Sequence, residues 1–226
     1  MNTLDLLCKR KHVVRYNDKQ IPNEILNELL RKTWKATSSK NNFMAYKINV
    51  LDNTKTTEKE LVWQKLVAKQ SKSENKAKED GEGVGFSGKP NQYYNHIKNN
   101  SHLLVITSRV CEPNDFVKQA IKEGHVAHEI YPKFVDDIID NTAIEVGMFI
   151  SHLTLFCMEE DIDVSYTACF PRNIDMWKNL PFVDQRPILL MSLGYGDYYR
   201  YQNLEKNEMT KKDYKPKLET IVNWQE

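Results

Sequence analysis

The chain has 226 residues, with 32 basic and 31 acidic side chains and a formal net charge of +1. This length suits one large domain with a substantial core and is short for two domains of typical size, so we expect a single domain over residues 1–226. The balanced charge does not provide the broad basic surface that nucleic-acid binding usually requires, and we expect no nucleic-acid partner.

The cysteines and the N-terminal residues indicate a cytoplasmic protein. The four cysteines form no CxxC pair, which favours reduced thiols over disulfides or a zinc site. Charged residues between Asp5 and Arg15 leave no apolar signal core, and no uninterrupted apolar stretch approaches the length of a membrane span. We therefore expect a soluble protein that has no membrane partner.

A helix, a polar loop and a strand are predicted near the N-terminus. Apolar residues repeat at helical spacing after Pro22, so residues 23–36 should form a helix with one buried stripe. Residues 37–42 offer hydroxyls, amides and a cation between two rigid elements, which is an arrangement suited to binding a ligand. Alternating apolar residues at 46, 48 and 50 then predict a strand with one buried face. The predicted stripe of the helix consists of Ile25, Leu26, Leu29, Leu30 and Trp34.

The middle of the chain is more polar. Residues 55–80 are rich in charged and polar side chains around a few apolar positions, which predicts a surface helix. Four of the eight glycines fall between residues 81 and 88 and predict a flexible loop, a candidate hinge or lid.

The fold class is predicted from three apolar segments. The continuous apolar runs 102–107 and 187–193 are typical of central strands that are covered on both faces. A broad apolar helical pattern from Ala143 to Cys157 predicts a long buried helix and a candidate dimer seam. We therefore expect an α+β fold in which helices cover a central sheet.

Two motifs in the sequence have simpler interpretations than their functional ones. Residues 83–88 match the dinucleotide fingerprint GxGxxG, but no hydrophobic strand precedes them, so a flexible glycine loop is favoured. His125 and His128 lie one helical turn apart, yet no acidic or cysteine partner is obvious, and we expect no metal site. Cys169 follows a strand predicted over 162–165, where backbone amides either face a planar ligand or form an ordinary tight connection.

Basic residues stand at both ends of the chain. Arg10, Lys11 and His12 precede the polar loop, and Lys215 and Lys217 lie near the C-terminus. They could hold one anionic ligand if the fold brings them together, because charge-assisted hydrogen bonds are the strongest available to a phosphate.

Taken in order, these segments resemble the nitroreductase family of FMN-dependent oxidoreductases over most of the chain. Residues 10–16 are similar to the basic opening stretch of that family, and residues 38–41 are similar to its Pro-Ser-Ser-x-Asn loop. The segment 162–170, the run Leu193-Gly194-Tyr195 and the terminal basic pair follow in the family's order. The resemblance implies a nitroreductase-like fold, with a mostly antiparallel central sheet and the long helix at the interface of a homodimer.

The resemblance also implies roles for particular residues. The two basic ends would hold the FMN phosphate, the polar loop would reach the flavin of the partner subunit, and backbone at 167 and 168 would lie beside flavin N5. Bulkier residues replace the usual ones around the ring and would reshape the substrate pocket. The implied cofactor-binding residues are Arg10, Lys11, His12, Ser38, Ser39, Asn41, Thr167, Ala168, Lys215 and Lys217. The pocket residues are Phe43, Tyr166 and Cys169, and the candidates for a further flavin contact are Asn91, Gln92 and Asn95.

The function implied by this resemblance is oxidoreductase chemistry carried by FMN. NADH or NADPH would reduce the flavin, and a small electron-poor acceptor of the nitroaromatic or quinone type would reoxidise it in a ping-pong cycle, with no catalytic side chain. Two alternatives remain open. One is a specialised flavin enzyme of the same fold, such as a reductive dehalogenase or a flavin-fragmenting enzyme, and the other is a noncatalytic flavin carrier or dimeric interaction protein.

Overall fold

Strands in the described part of the chain form one four-stranded sheet and one two-stranded ribbon. The computed structural model describes residues 10, 12–39, 44–66, 97, 99–109, 115–124, 135–168, 170–200 and 218–222. The sheet has the order β2-β3-β5-β4, β1 pairs with β6, and every pairing is antiparallel. The strands are β1 (His12–Tyr16), β2 (Tyr46–Leu51), β3 (His102–Ser108), β4 (Asp163–Thr167), β5 (Pro187–Gly194) and β6 (Gly196–Arg200).

Helices cover both faces of the sheet, so the expected α+β fold with an antiparallel central sheet is confirmed. The longest helix among the described residues is Val135–Glu159, which has 25 residues and precedes β4. A short 3-10 helix, Ile174–Trp177, lies between β4 and β5. The α-helices are α1 (Asn23–Ala36), α2 (residues 56–66), α3 (Asp115–Lys122), α4 (Val135–Glu159) and α5 (Leu218–Ile221).

The two faces of the sheet are buried in two different clusters. On β3, Leu104 and Ile106 belong to the cluster that contains α1 and α4, while Leu103 and Val105 belong to the cluster that contains α2 and Trp177. Successive strand residues point to opposite faces, so a continuous apolar run is required when both faces are buried. The predicted central strands 102–107 and 187–193 are therefore confirmed within a residue of their ends.

The predicted helix 23–36 has the expected bounds, but its buried stripe is rotated. Leu26, Leu29 and Thr33 face the core, whereas Trp34 is 57% exposed. Thr33 is accommodated in the core because its hydroxyl donates to the Leu29 carbonyl, 2.7 Å away, and so leaves no unsatisfied group. The prediction was wrong for Trp34 and for Ile25, which is also exposed.

Helix α4 has an apolar face that the sheet does not cover. Its segment Asn141–Glu159 has a mean hydropathy of 1.2 and is long and apolar enough to cross a membrane by length and composition, a feature that the sequence analysis did not identify. Only 44% of this segment is buried. Leu153 and Cys157 lie in the core, while Ile144 is 64% exposed and Met148 is 38% exposed on the outer side.

Tyr16 connects the ribbon to the sheet. Its hydroxyl donates to the Ser192 carbonyl, 2.9 Å away, and lies 3.1 Å from Ser165 Oγ, so β1 is fixed against β4 and β5. Gly194 allows this approach, because a Cβ at that position would come within 2.6 Å of Tyr16 Cδ1. The contact holds the end of β1 against the sheet, and Arg10, which precedes β1, lies beside Tyr166 of β4.

Lys59 on α2 is a fully buried cation, at 0% exposure. Its Nζ donates to the carbonyls of Asn100 and Ser101, at 2.9 and 3.1 Å. Burial lowers the pKa of Lys59 to about 8, although the nearby Asp52 carboxylate acts in the opposite direction. An unfolded lysine titrates near about 10.4, so between these two values the unfolded chain binds more protons than the folded chain.

We expect Lys59→Met to remove a pH-dependent part of the stability. In the native protein, the titration of Lys59 makes the unfolding free energy rise by about 3 kcal/mol in total as the pH increases from about 8 to about 10.4. Burial raises the pKa of Cys157 to about 12. This thiol and the buried tyrosines make the unfolding free energy fall as the pH rises, so the informative quantity is the difference between the native protein and Lys59→Met. Urea unfolding at a series of pH values would measure it.

The exposed Lys55 provides a matched control for that measurement. Lys55→Met should leave the pH dependence of the unfolding free energy unchanged. If the unfolding free energies of the native protein and Lys59→Met changed in parallel over this pH range, the lowered pKa of Lys59 would be contradicted.

Candidate functional site

The structure places Arg10 against the edge strand β4. Its guanidinium carbon lies 4.6 Å from the centroid of the Tyr166 ring, a cation–π contact between distant parts of the chain. Arg10 Nη1 is buried and has no hydrogen-bond partner among the described residues. A buried donor without an acceptor is costly, and an anionic oxygen is the group that would satisfy it best.

Tyr166 is itself held in place by α4. Its hydroxyl forms a short hydrogen bond with Thr154 Oγ1, and its ring packs against the core cluster below α4. Burial raises the pKa of Tyr166, so the side chain is a neutral phenol at neutral pH. The hydroxyl of Tyr166 is therefore held by Thr154, and the Arg10 cation lies over the ring.

The backbone that follows Tyr166 lies at the edge of the sheet. Thr167 ends β4 opposite Leu190 of β5, and Ala168 is exposed just beyond the strand end. The structure thus brings three implied cofactor-binding residues, Arg10, Thr167 and Ala168, to one end of one edge strand. The implied pocket residue Tyr166 lies among them.

The polar loop after α1 also contacts α4, at residues other than Thr154. Thr37 Oγ1 lies 3.1 Å from His152 Nδ1, and Ser39 Oγ donates to Glu145 Oε2 at 2.8 Å. Ser39 Oγ also accepts a hydrogen bond from the Met44 backbone N–H, at 2.8 Å. The Ser39 hydroxyl is thus engaged within the chain, whereas Ser38 is exposed and available to a ligand.

Met44 is held in an uncommon backbone conformation at the far end of that loop. Its φ is +44°, in the left-handed region that residues with a Cβ rarely adopt. Its N–H donates to Ser39, and its carbonyl accepts from Arg109 Nε and Nη2 at 3.3 and 3.2 Å. Such conformations persist when surrounding contacts determine them, and they are often found at ligand-binding sites.

Both groups of implied residues contact α4. Glu145, which binds Ser39, and Thr154, which binds Tyr166, are nine positions apart on α4, so their backbones lie about 14 Å apart along the helix axis. Thr37 contacts His152, only two positions from Thr154, so the loop extends along α4 from the level of Tyr166 to the level of Glu145.

An apolar groove of about 300 Å³ opens between α1 and β2, next to Met44. Three side chains of β2 form its floor, and the Arg109 guanidinium is the cationic group in its lining. Exposed Trp34, whose position the sequence analysis misjudged, forms one wall. The lining consists of Leu30, Trp34, Met44, Tyr46, Ile48, Val50, Arg109 and Phe149.

Several predicted positions lie outside the described residues, and their role stays a prediction. For His12 only the backbone is described, as the first residue of β1. Among the described residues, no three His, Cys, Asp or Glu side chains group in a way that could hold a metal ion. The predicted positions outside the described residues are Lys11, Asn41, Phe43, Cys169, Lys215, Lys217, the candidates Asn91, Gln92 and Asn95, the pair His125 and His128, and the glycine loop 81–88.

Sequence analysis missed the α4 side chains that support these groups. Glu145 is a buried carboxylate that falls on the same helical stripe as Phe149 and Leu153. An acidic residue within an apolar stripe was a readable signal, because buried charges need partners. Thr154 and Arg109 gave no comparable signal.

Comparisons with known proteins support the fold. No family model and no curated relative matches the sequence. A candidate nitroreductase from Exiguobacterium sibiricum, solved in complex with FMN, has a TM-score of 0.60 at 13% identity and covers 100% of this chain and 98% of its own. A candidate nitroreductase from Bacillus subtilis has a TM-score of 0.60 at 13% identity, with 98% of both chains covered. A candidate NAD(P)H:FMN oxidoreductase from Staphylococcus epidermidis has a TM-score of 0.57 at 16% identity, with 96% of both chains covered.

Proposed function

We propose that this chain, which has the nitroreductase-like fold, is a homodimeric FMN-dependent oxidoreductase. NADH or NADPH would donate a hydride, and a small electron-poor molecule of the nitroaromatic or quinone type would accept it. When bound, FMN supplies this chemistry by accepting the hydride at N5 and passing it on in a ping-pong cycle. The proposal fits the fold shared with the FMN complex from Exiguobacterium sibiricum.

The observation that carries the proposal is the unsatisfied Arg10 donor beside the end of β4. Arg10 Nη1 has no acceptor among the described residues, and the phosphate of FMN would provide one with a full negative charge. The exposed residue Ala168 offers an edge along which a planar ring can lie. The chemistry of these residues suits an anionic, planar cofactor.

The same residues define what the protein contributes to the reaction. Arg10 binds and orients the phosphate end, and the strand end at Thr167 and Ala168 orients the ring. Burial raises the pKa of Tyr166, so it is a neutral phenol near neutral pH, and its hydroxyl is bonded to Thr154. The chain therefore supplies orientation and electrostatic stabilisation.

A dimer is proposed because α4 presents an exposed apolar face at Ile144 and Met148. The Ser39 end of the polar loop, bonded to Glu145, lies about 14 Å along α4 from Thr154. A second subunit, packed on the exposed apolar face of α4, would bring its own loop to this site. Residues from both subunits would then complete each flavin site and exclude water from it.

The test is an anaerobic absorbance spectrum of the purified protein with FMN, recorded before and after addition of NADH or NADPH. We expect the flavin bands to shift on binding and to bleach with one of the reductants. The acceptor class would follow from reoxidation by a quinone or by a nitroaromatic compound under the same conditions.

Other outcomes of this spectrum separate the competing functions. A bound flavin that neither reductant bleaches would favour a flavin carrier or a specialised enzyme with another electron donor. Unshifted flavin bands at saturating protein would contradict the proposal and leave a shared fold without the cofactor.

A further inference from the structure

We propose that Tyr166 is a positioning residue whose ring holds the Arg10 guanidinium in the orientation that binds the phosphate of FMN. The inference rests on the proposed function, because it takes the phosphate as the anion that Arg10 binds. It assigns to Tyr166 a role different from the pocket contact that the resemblance implies.

The geometry fits a platform for a cation. The Arg10 guanidinium lies over the face of the Tyr166 ring, 4.6 Å from its centroid, where the electron density of the ring attracts a positive charge. The opposite end of the tyrosine is fixed, because its hydroxyl is bonded to Thr154 on α4. The ring can therefore hold Arg10 without moving itself.

The platform leaves a hydrogen-bond donor of Arg10 unused. The cation–π contact holds the guanidinium over the ring, while Nη1 stays without a partner among the described residues. Orienting a long side chain before the ligand arrives reduces the entropy that binding would otherwise cost. A residue that holds a binding group in this way raises affinity without touching the ligand.

The expected effect is specific to the phosphate. Replacing Tyr166 with leucine removes the ring face, and we expect FMN affinity to fall about fivefold, in line with the strength of a partly desolvated cation–π contact. Riboflavin has the same ring without the phosphate, so its affinity should change by less than about twofold. Tyr166→Phe keeps the ring and should bind FMN nearly as the native protein does.

The decisive experiment varies the ring face and leaves its shape nearly unchanged. Phenylalanine and its mono-, di- and trifluorinated forms are introduced at position 166, and the dissociation constants of FMN and riboflavin are measured by titration of flavin fluorescence. Fluorine withdraws electron density from the ring face, so FMN affinity should fall stepwise along the series while riboflavin affinity stays constant. The four proteins fold alike, since they share one side-chain outline, and their unfolding free energies without flavin monitor this.

Each other outcome is informative. A flat FMN series in a protein that binds FMN would overturn the positioning role and leave the proposed function intact. Equal losses for FMN and riboflavin would also overturn it, because the ring would then contact the flavin itself. If the native protein bound no FMN, the proposed function would fail, and this inference would fail with it.

Discussion

Arg10→Met should weaken FMN binding about 30-fold, equivalent to about 2 kcal/mol, because the phosphate loses a charge-assisted hydrogen-bond donor. Methionine keeps much of the apolar length of the side chain and removes the charge. The affinity for riboflavin should stay nearly constant, since the lost interaction is with the phosphate. Equilibrium titration of both flavins would measure these changes.

The same substitution should have little or no destabilising effect on the unliganded protein. Arg10 Nη1 is buried and has no hydrogen-bond acceptor in the part of the chain that the structure describes, and removing such a donor relieves an unfavourable interaction. A residue that is retained for ligand binding often lowers stability in this way. A loss of FMN affinity at unchanged unfolding free energy would therefore identify Arg10 as a ligand-binding residue.

Two variants sharpen the interpretation. Arg10→Lys keeps the charge and loses the planar fork, so its FMN affinity should be intermediate. Arg31 on α1 is an exposed arginine, and Arg31→Met removes the same charge without changing the site. Equal effects of Arg10→Met and Arg31→Met would attribute the loss to net charge and contradict the phosphate assignment.

Elements whose burial pattern is simple were predictable from the sequence. Strand β3 is apolar at every central position because two different clusters cover its faces, and its bounds were predicted within one residue. Helix α1 was predicted from Asn23 to Ala36, as observed, because Pro22 starts it and the apolar spacing is regular. These patterns depend on local periodicity, which the sequence carries directly.

The orientation of side chains depends on tertiary contacts and was harder to predict. Trp34 was expected in the core, but Thr33 takes that position because its hydroxyl bonds to the preceding turn of the helix. Lys59 lies in a segment that was predicted to be a surface helix, yet the carbonyls of Asn100 and Ser101, the two residues before β3, stabilise its burial. These two contacts of Lys59 join residues more than forty positions apart, and no local pattern reports them.

The candidate site was predicted in part, through resemblance more than through local pattern. The meeting of Arg10 with β4 was expected because the basic N-terminus and residues 167–168 were both implied to contact one cofactor. The role of Ser39 differs, since its hydroxyl joins Glu145 to the Met44 backbone. A serine in a polar loop looks the same in sequence whether it binds a ligand or closes the loop.

Replacing both Ile144 and Met148 with lysine should convert the proposed dimer to monomers. These residues are one turn apart on the exposed apolar face of α4, and Gly147 between them has open space where a Cβ would stand. Two unpaired ammonium groups in a closed seam would cost at least about 4 kcal/mol, which raises the dimer dissociation constant about 1000-fold. Sedimentation velocity over a range of protein concentrations would measure the change.

The monomer should also lose FMN, because each proposed site needs the polar loop of a second subunit. Ile25 is an exposed isoleucine on α1, and Ile25→Lys provides a matched control that should leave the dimer and its flavin intact. If Ile25→Lys dissociated the dimer to the same extent, the dimer interface would not be assigned to α4. If Ile144→Lys with Met148→Lys gave a folded monomer that still retained FMN, the flavin site would be complete within one chain, and the polar loop of a second subunit would have no part in binding the cofactor.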